Sequence, residues 1–270
     1  MNLALTCSHF RMGKIITLIT DFRTSDGYMG AVYGVLKSIN PELDIITVAS
    51  NIPPADIRKA SRALVNCFRF YPEGTIHMVV VDPTVGQQRR SLLIHDDRYY
   101  YVGPDNGVFT PVFKYAGEFN CYHITNSKYR LASGSETFHG RDLFAPAAAY
   151  LSLGIPPEEF GPKIDDPVYI VDPEPEQIGH DITGNVIDID AFGNLVTNIP
   201  AEMIKQKSII KICGNKINGI SRSYADVKEK QPLAYIGSSG NLEIAINRGH
   251  AANFFGAAIF EELKVIDVES

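Results

Sequence analysis

The stretch KIITLITDFRTSDGYMGAVYGVLKSINPELDIITVAS, residues 14–50, decides the fold class. It begins with a β-branched run that ends at Asp21 and closes with a second such run, DIITVAS. Between the two runs, apolar residues recur at helical spacing at Tyr28, Val32, Val35 and Leu36. This order of strand, helix and strand predicts a βαβ unit with two parallel strands and a right-handed crossover.

The same alternation continues to about residue 165. ADIRKASRALVNCFRFY is typical of a helix that is closed by Pro72 and Gly74, and TIHMVVVD is a nearly continuous apolar run, as expected for a strand buried on both faces. SLLIH and YYYVG predict a hairpin across DDR, and a helix follows His139. Residues 14–165 are therefore predicted to form an α/β domain built on a parallel sheet.

The composition changes after this domain. Residues 166–180 are rich in proline and acidic residues, which predicts a linker. Residues 181–270 hold short strand-like runs separated by Gly, Asn and Ser turns, with little helical period. A small all-β, barrel-like domain is expected there.

The net charge of −6 and the absence of a basic stripe argue against nucleic acid as a partner. No apolar run reaches the roughly 18 residues that a membrane-spanning helix needs, and the apolar run at the N-terminus lacks the basic residues of a signal peptide, so the folded part is expected to begin near Lys14. The cysteines are too far apart for a metal-finger motif, which favours reduced thiols and a cytoplasmic protein; they are Cys7, Cys67, Cys121 and Cys213.

Acidic residues follow two of the predicted parallel strands, at Asp21 and Asp82. The carboxyl ends of such strands face the ligand crevice of an open α/β sheet. Arg89 lies seven positions after Asp82, across a turn with Pro83 and Gly86, so the two side chains are expected to face each other.

With His139, this pair would make a group able to hold and orient a water. A structural ion pair beside a core histidine explains Asp82, Arg89 and His139 equally well, and a turn cap explains Asp21. The sequence contains no serine elbow, P-loop or dinucleotide glycine fingerprint.

A metal site is the less favoured interpretation of the same region. Arg89 would repel a cation, and no second histidine follows a strand, although the hard or borderline ligands Asp21, Asp26, Asp82, His139 and Asp142 are available. In the second domain, Phe192, Asn194 and the turn at Ser238 could recognise a heteroaromatic ring. The segment FGN could equally be a plain hairpin turn.

Several long motifs together resemble a known family. TDFRTSDGYMGAVYGVL, NIPPADI, FYPEGTIHMVVVDPTVGQQRRSLLI, VGPDNGVFT, TFHGRD, IDAFGNLVTNI and GSSGNLEIAINRG occur in the order seen in the S-adenosylmethionine (SAM) hydrolases, also called SAM hydroxide adenosyltransferases. These enzymes are related to the SAM-dependent fluorinase and chlorinase. The resemblance runs from about Ile15 to Val268.

The resemblance implies a fold, a reaction and an assembly. It implies an α/β domain followed by a small β-barrel-like domain, in a homotrimer with SAM bound at subunit interfaces. The catalytic residues match Asp82, Arg89 and His139, which would act on a water that attacks the ribose C5′ and yields adenosine and L-methionine. SAM is the substrate, and neither a cofactor nor a metal is expected.

The resemblance also implies a set of substrate-binding residues. Asp21 would hold the ribose hydroxyls, and Gly140 would let the substrate pass close to the backbone. Ser238 would contact the methionine end, and Tyr224 would lie against adenine. The remaining matches are Asn106 in the motif VGPDNGVFT, Asp190, Phe192 and Asn194 at the adenine and methionine portions, and Asn247 and Arg248, where the backbone would read the adenine edge.

Three alternatives stay open. A SAM-dependent halogenase is disfavoured because the related halogenases lack the water-activating residues, and an acid at Asp82 would repel halide. A non-catalytic SAM or nucleoside sensor has no need for Asp82, Arg89 and His139 together. A metal-dependent phosphoesterase would lose its activity with a chelator.

Overall fold

The structure is a computed structural model that describes residues 15–132 and 134–267. The expected start of the fold near Lys14, Cys7 and the role of residues 1–13 lie outside the described residues. The chain divides after Ile170 into two compact units. No helix among the described residues is both long enough and apolar enough to cross a membrane.

The first unit is built on a seven-stranded sheet with the order β2-β1-β3-β5-β4-β6-β7. Its strands are β1 (Ile15–Thr20), β2 (Asp44–Ala49), β3 (Ile76–Val80), β4 (Ser91–Asp96), β5 (Tyr100–Pro104), β6 (Phe119–His123) and β7 (Lys163–Ile164). The pairs β2-β1 and β1-β3 are parallel, as predicted for the βαβαβ run, and β3-β5 is a further parallel pair. Strands β4, β6 and β7 add antiparallel pairs, so the sheet is mixed rather than purely parallel.

The mixed character has a local cause. Strand β4 and strand β5 form the predicted hairpin, because only a short turn joins them and a short turn forces antiparallel pairing. The other side of β4 pairs with β6, and β6 pairs with β7. The sequence pattern identified the hairpin but not the strands that extend beyond it.

Helices cover both faces of this sheet. They are α1 (Tyr28–Ile39), α2 (Ile57–Val65), α3 (Thr110–Tyr115) and α4 (Ala145–Ser152). Side chains of α1 and α4 pack with Ile16 and Leu18 on one face, whereas α2 and α3 pack with Ile19 on the other. The two cores follow from the period of two in β1, which sends successive side chains to opposite faces. Helix α2 is shorter than its pattern suggested, and one 3₁₀ turn follows at Phe68–Phe70.

The second unit is an all-β, nearly closed barrel-shaped sheet with the order β12-β11-β15-β9-β10-β14-β13, and β8 pairs with β9. Its strands are β8 (Glu176–Ile178), β9 (Asp181–Ile189), β10 (Leu195–Pro200), β11 (Ile209–Ile212), β12 (Asn215–Asn218), β13 (Pro232–Ile236), β14 (Asn241–Ile246) and β15 (Glu262–Ile266). One short helix, α5 (Ala251–Phe255), packs against its core. The barrel-like expectation is confirmed.

The predicted linker, residues 166–180, is more ordered than its composition suggested. The backbone N–H of Val168 donates to Asp105 at 2.7 Å, and that of Ile170 donates to Thr110 Oγ1 at 2.8 Å. Residues 176–178 form strand β8. Its first part is therefore fixed to the first unit by hydrogen bonds, and its last part belongs to the barrel-shaped sheet. Within the described residues, Cys67, Cys121 and Cys213 are free thiols.

Candidate active site

Asp82 lies two residues after the end of the buried strand β3, and hydrogen bonds hold both oxygens of its carboxylate. Oδ1 accepts hydrogen bonds from the backbone N–H of Thr84 at 3.3 Å and from the Thr84 hydroxyl at 3.2 Å. The chain then turns at Gly86, whose φ of 78° favours glycine. A Cβ at Gly86 would lie 2.9 Å from the Glu136 carbonyl oxygen, so this turn also needs glycine for space.

Arg89 uses all five of its N–H groups inside the protein. Nε and Nη2 donate to Asp82 Oδ2 at 2.9 and 2.5 Å, and Nη1 donates to the Ser91 hydroxyl at 2.7 Å and to the Arg90 carbonyl at 3.3 Å. The last N–H, on Nη2, points to His139 Nδ1 at 2.7 Å. Since a guanidinium has five donors and no acceptor, Arg89 keeps none for a ligand.

His139 is held by this arginine in one tautomer. Arg89 can only donate, so Nδ1 of His139 must accept, and the ring proton of the neutral imidazole must lie on Nε2. Burial, and next the charge of Arg89, lower the pKa of His139 below 6.5. Nε2 is buried and makes no hydrogen bond to any described residue; the nearest carboxylate oxygen, on Glu136, is 3.7 Å away. The group therefore leaves one N–H open.

The chain carries His139 into a wide helical turn, Gly140–Phe144, that runs into α4. Pro146 has no N–H and its ring crowds the preceding turn, which accounts for the widening. The carbonyl of Asp142 accepts instead from the Leu131 N–H at 2.9 Å. Wide turns of this kind recur at functional sites.

Asp142 and Arg141 tie down this turn. Arg141 Nε and Nη2 donate to the two oxygens of Asp142 at 2.6 and 2.8 Å, and the Ser135 N–H donates to Oδ2 at 2.5 Å. A Cβ at Gly140 would lie 2.7 Å from the Phe22 ring, so the structure gives this glycine a packing role. Its proposed closeness to substrate stays a prediction.

Asp21 lies at the end of β1, next to the end of β3. Thr20 is in register with Val80, which brings Asp21 near Asp82. Asp21 Oδ2 accepts from the Ala55 N–H at 3.1 Å. Burial raises the pKa of Asp21, and the negative charge of Asp82 adds to that rise. Asp21, Asp82, Arg89 and His139 therefore share the carboxyl edge of the parallel strands, as the sequence predicted.

The Asn106 side chain makes hydrogen bonds to the protein backbone. Its Nδ2 donates to the Val81 carbonyl at 2.9 Å, and its Oδ1 accepts from the Val108 N–H at 3.2 Å, so the side chain fixes the end of β3 against the loop after β5. Its proposed contact with substrate stays a prediction. A cavity of about 260 Å³ lies at the opposite edge of the sheet, between Phe68, Tyr99 and Tyr115, and none of the predicted site residues lines it.

In the second unit, residues 190–194 form the turn between β9 and β10, so the hairpin interpretation is confirmed. Asp190 Oδ1 accepts from the backbone N–H groups of Phe192 and Asn194, both at 2.8 Å. Gly193 has a φ of 83°, and a Cβ there would fall 2.3 Å from the His250 ring. The turn leaves the Phe192 ring 77% exposed, which keeps its face available for a ligand.

Sequence reasoning missed two residues behind this turn, Tyr235 and Glu243. Asn194 Nδ2 donates to the Tyr224 hydroxyl at 2.9 Å, the Tyr224 and Tyr235 hydroxyls are 3.1 Å apart, and Tyr235 donates to Glu243. A signal for Glu243 existed in the run LEIAI, where one carboxylate interrupts a buried strand. Buried charges of this kind need partners.

The other predicted positions of this unit are distributed over two turns. Ser238 lies exposed in the turn between β13 and β14. Asn247 uses its backbone N–H on Gln231, its carbonyl on Lys230 and its side chain on Val227. The Arg248 side chain pairs with Glu229 and is 74% exposed. No described residue shows what Ser238, Asn247 or Arg248 would bind, so their roles stay predictions.

The first unit thus defines a class of protein: an α/β fold with a carboxylate, a guanidinium and a neutral imidazole joined at the carboxyl edge of its parallel strands. Among the described residues, no group of three or more His, Cys, Asp or Glu could hold a metal ion. This arrangement can position a small polar molecule such as water beside His139 Nε2.

Comparisons with known proteins agree with this class. Residues 16–161 match the SAM hydroxide adenosyltransferase N-terminal domain, and residues 184–264 match the C-terminal domain of the same family. The chain belongs to the SAM hydroxide adenosyltransferase family.

Named relatives include two (R)-S-adenosyl-L-methionine hydrolases. The one from Thermus thermophilus is 36% identical over 89% of this chain and 95% of its own, and the one from Methanocaldococcus jannaschii is 33% identical over 93% and 95%. A fluorinase from an Actinoplanes species is 27% identical over 86% of this chain and 91% of its own. A crystal structure of an uncharacterized conserved protein from Thermotoga maritima has a TM-score of 0.87 at 31% identity, and covers 93% of this chain and 100% of that one.

Proposed function

We propose that this protein hydrolyses S-adenosyl-L-methionine to adenosine and L-methionine, by attack of a water on the ribose C5′. The observation that carries the proposal is the hydrogen-bonded group of Asp82, Arg89 and His139, in which Nε2–H of His139 has no partner among the described residues. The names of the hydrolase relatives support the substrate.

His139 and Asp82 hold the water in this mechanism. Nε2–H donates to the water oxygen, and Asp82 Oδ1 accepts one of its protons. Oδ1 is available because its hydrogen bonds from Thr84 are long, at 3.2 and 3.3 Å, whereas Oδ2 is chelated by Arg89. The second lone pair of the water oxygen then points away from both residues, toward the carbon under attack.

The step balances without another reactant. The new bond forms between the water oxygen and C5′, the bond from C5′ to sulfur breaks, and its electron pair stays on sulfur. The proton lost by the water passes to Asp82 and from there to solvent. The sulfonium leaves as a neutral thioether, so the reaction needs no metal to stabilise the leaving group. A pocket that excludes bulk water would also favour the reaction, because the nucleophile and the sulfonium would be less strongly solvated and could approach each other more easily.

Arg89 acts as a positioning residue in this scheme. Its N–H groups are all bound to protein acceptors, so it cannot donate to the water directly. It fixes the carboxylate of Asp82 and the tautomer of His139. The sequence left open whether this arginine tunes the water or orients the aspartate, and the geometry favours orientation.

The assembly and the compartment are part of the same proposal. We propose a homotrimer in which SAM lies at an interface between subunits, because the resemblance that identified the catalytic residues also implies this arrangement. We place the enzyme in the cytoplasm, which the free thiols of Cys67, Cys121 and Cys213 support. Sedimentation of the purified chain tests the trimer.

The test is incubation of chelator-treated protein with SAM in oxygen-18 water, followed by mass spectrometry. We expect adenosine with the heavy oxygen at C5′ beside unlabelled methionine. SAM that binds but stays intact would identify a sensor, and halogenated nucleoside formed only with added halide would identify a halogenase.

Two variants test the roles of the residues. Asp82→Asn and His139→Ala should each lower turnover by roughly 10²- to 10⁴-fold, the range of a positioned acid or base, while SAM still binds. Asp105→Asn is a matched control. Asp105 forms an ion pair with Arg90, the residue that follows Arg89, and not with Arg89 itself. Unchanged turnover in both test variants would remove these residues from the mechanism.

A further inference from the structure

A chain of hydrogen bonds in the second unit ends at a buried carboxylate. Asn194 Nδ2 donates to the Tyr224 hydroxyl at 2.9 Å, and the Tyr224 hydroxyl lies 3.1 Å from that of Tyr235. The Tyr235 hydroxyl donates to Oε2 of Glu243, which is 9% exposed. The family resemblance assigned roles to Asn194 and Tyr224 but none to Tyr235 or Glu243.

The carboxylate sets the direction of every bond in this chain. An ionised Glu243 can only accept, so Tyr235 must donate to it, and the oxygen of Tyr235 is left to accept from Tyr224. The oxygen of Tyr224 in turn accepts from Asn194. Burial, and next the bond to Glu243, raise the pKa of Tyr235, so this hydroxyl keeps the proton that it donates.

The side chain amide of Asn194 is fixed from two sides as a result. One N–H of Nδ2 is taken by Tyr224, and the other is taken by Asp190 Oδ2 at 2.8 Å. Oδ1 of Asn194 accepts no hydrogen bond from any residue in the described part of the chain. Asn194 can therefore offer a ligand an acceptor and no donor.

Glu243 is buried in the second unit, although burial of a carboxylate is energetically unfavourable. Its neighbours in β14, Leu242 and Ile244, are fully buried, and burying a carboxylate among apolar residues is unfavourable unless it is paired. Gly237 provides the space, because a Cβ there would lie 1.9 Å from Glu243 Oε1. An apolar side chain at position 243 would fit the strand pattern without this accommodation.

We infer that Glu243 is a positioning residue that sets the hydrogen-bond direction through Tyr235 and Tyr224, so that Asn194 presents Oδ1 and selects a ligand bearing an amino group. The inference rests on the proposed function, because SAM carries two such donors, the exocyclic amine of adenine and the α-ammonium of methionine. The shared chemistry is an N–H donor facing a fixed amide oxygen.

The experiment measures binding to the full chain by isothermal titration calorimetry, with two ligand pairs that differ in a single amino group. Adenosine and purine riboside form the first pair, and L-methionine and 4-(methylthio)butanoate form the second; the second member of each pair has hydrogen where the first has the amino group, so it offers no donor there. We expect the wild-type protein to prefer the amino member of one pair by about tenfold, the affinity equivalent of one hydrogen bond. The pair that shows the preference identifies which amino group faces Asn194.

Two variants then separate positioning from packing. Glu243→Gln keeps the shape of the side chain but can donate to Tyr235, and Tyr235→Phe cuts the chain of hydroxyls; each should reduce the preference at least threefold. Glu202→Gln is the control, because it removes an exposed acid from the same unit and should leave the preference unchanged. Circular dichroism checks that each variant is folded.

A role in packing alone predicts weaker binding of both members of a pair with an unchanged ratio, and that result overturns the inference. So does a wild-type protein with no preference in either pair. Because calorimetry needs no turnover, a lost preference in the two variants supports Glu243 even if the oxygen-18 experiment shows no hydrolysis. Hydrolysis with an unchanged ratio leaves the proposed function standing and removes this inference alone.

Discussion

The buried histidine of β3 should make the first unit acid-sensitive. His77 is fully buried, stacks on the Tyr101 ring and packs against Tyr99 and Phe68. Its Nδ1 lies 2.7 Å from the Thr17 hydroxyl, and its Nε2 has no partner among the described residues. Burial lowers the pKa of His77 from 6.5 to about 3. The folded protein therefore holds this ring neutral at pH values well above 3.

The sign and the size of the effect follow from proton linkage. Below pH 6.5 the unfolded chain binds a proton at His77, and the folded chain does not bind it until the pH approaches 3. As the pH is lowered through this window, the free energy of unfolding therefore decreases by about 1.4 kcal/mol for each pH unit. At pH 4.5, two units below the unfolded pKa, the loss due to His77 is about 3 kcal/mol.

The assay is urea unfolding at pH 7.5 and pH 4.5, at one protein concentration, for the wild type and for a Thr17→Val, His77→Phe double variant. The second substitution removes the titrating ring, and the first avoids leaving the threonine hydroxyl unpaired. The wild type should lose about 3 kcal/mol more than the double variant between the two pH values. His180→Gln, at an exposed histidine, is the control and should behave as the wild type. Equal losses in the wild type and the double variant would refute the reasoning.

Four further outcomes are expected. Burial and Arg89 hold the pKa of His139 below 6.5, and the neutral ring is the active form, so the acid limb of kcat/KM should lie below pH 6.5; a limb above pH 7 contradicts this tautomer. Arg89→Lys should lower kcat roughly 100-fold, since an ammonium cannot hold both Asp82 and His139 in place, whereas Arg90→Lys should leave kcat unchanged in the same steady-state assay. Prolonged dialysis against a chelator should not reduce turnover, and restoration of lost activity by a divalent cation would argue for a metal site. Gly140→Ala should cost about 1–3 kcal/mol of stability in thermal unfolding, because its Cβ would lie 2.7 Å from the Phe22 ring; an unchanged Tm would contradict the packing role.

The edge of the sheet that carries the candidate site could be predicted because it depends on local sequence. Strands that end in Asp21 and Asp82 are visible as apolar runs, and parallel strands bring such ends together. The pairing of Asp82 with Arg89 follows from a short turn. The last strand of the first unit's sheet was harder to predict. Strand β7 has only two residues, so it shows no sequence pattern of its own and depends on pairing with β6.

Other features required the three-dimensional arrangement. The contact between Arg89 and His139 joins residues 50 positions apart, so the sequence could suggest the group but not the tautomer. Asn106 was identified by its motif, yet its side chain is used by backbone groups of Val81 and Val108, which no spacing rule indicates. Gly140 was given a ligand-related reason, and the Phe22 ring supplies a structural one that depends on packing between distant segments.

The two candidate sites use the same physical device with opposite outcomes. In the first unit, a carboxylate and a guanidinium leave His139 with a single open donor. In the second unit, Asp190 and Glu243 take both N–H groups of Asn194, one directly and one through two tyrosines, and leave a single open acceptor. A donor suits a water that must keep one lone pair for attack, and an acceptor suits an amino group of the substrate. In each case we propose that a buried carboxylate selects the ligand by fixing which hydrogen-bonding atom remains open, a role that would offset the cost of burying the acid.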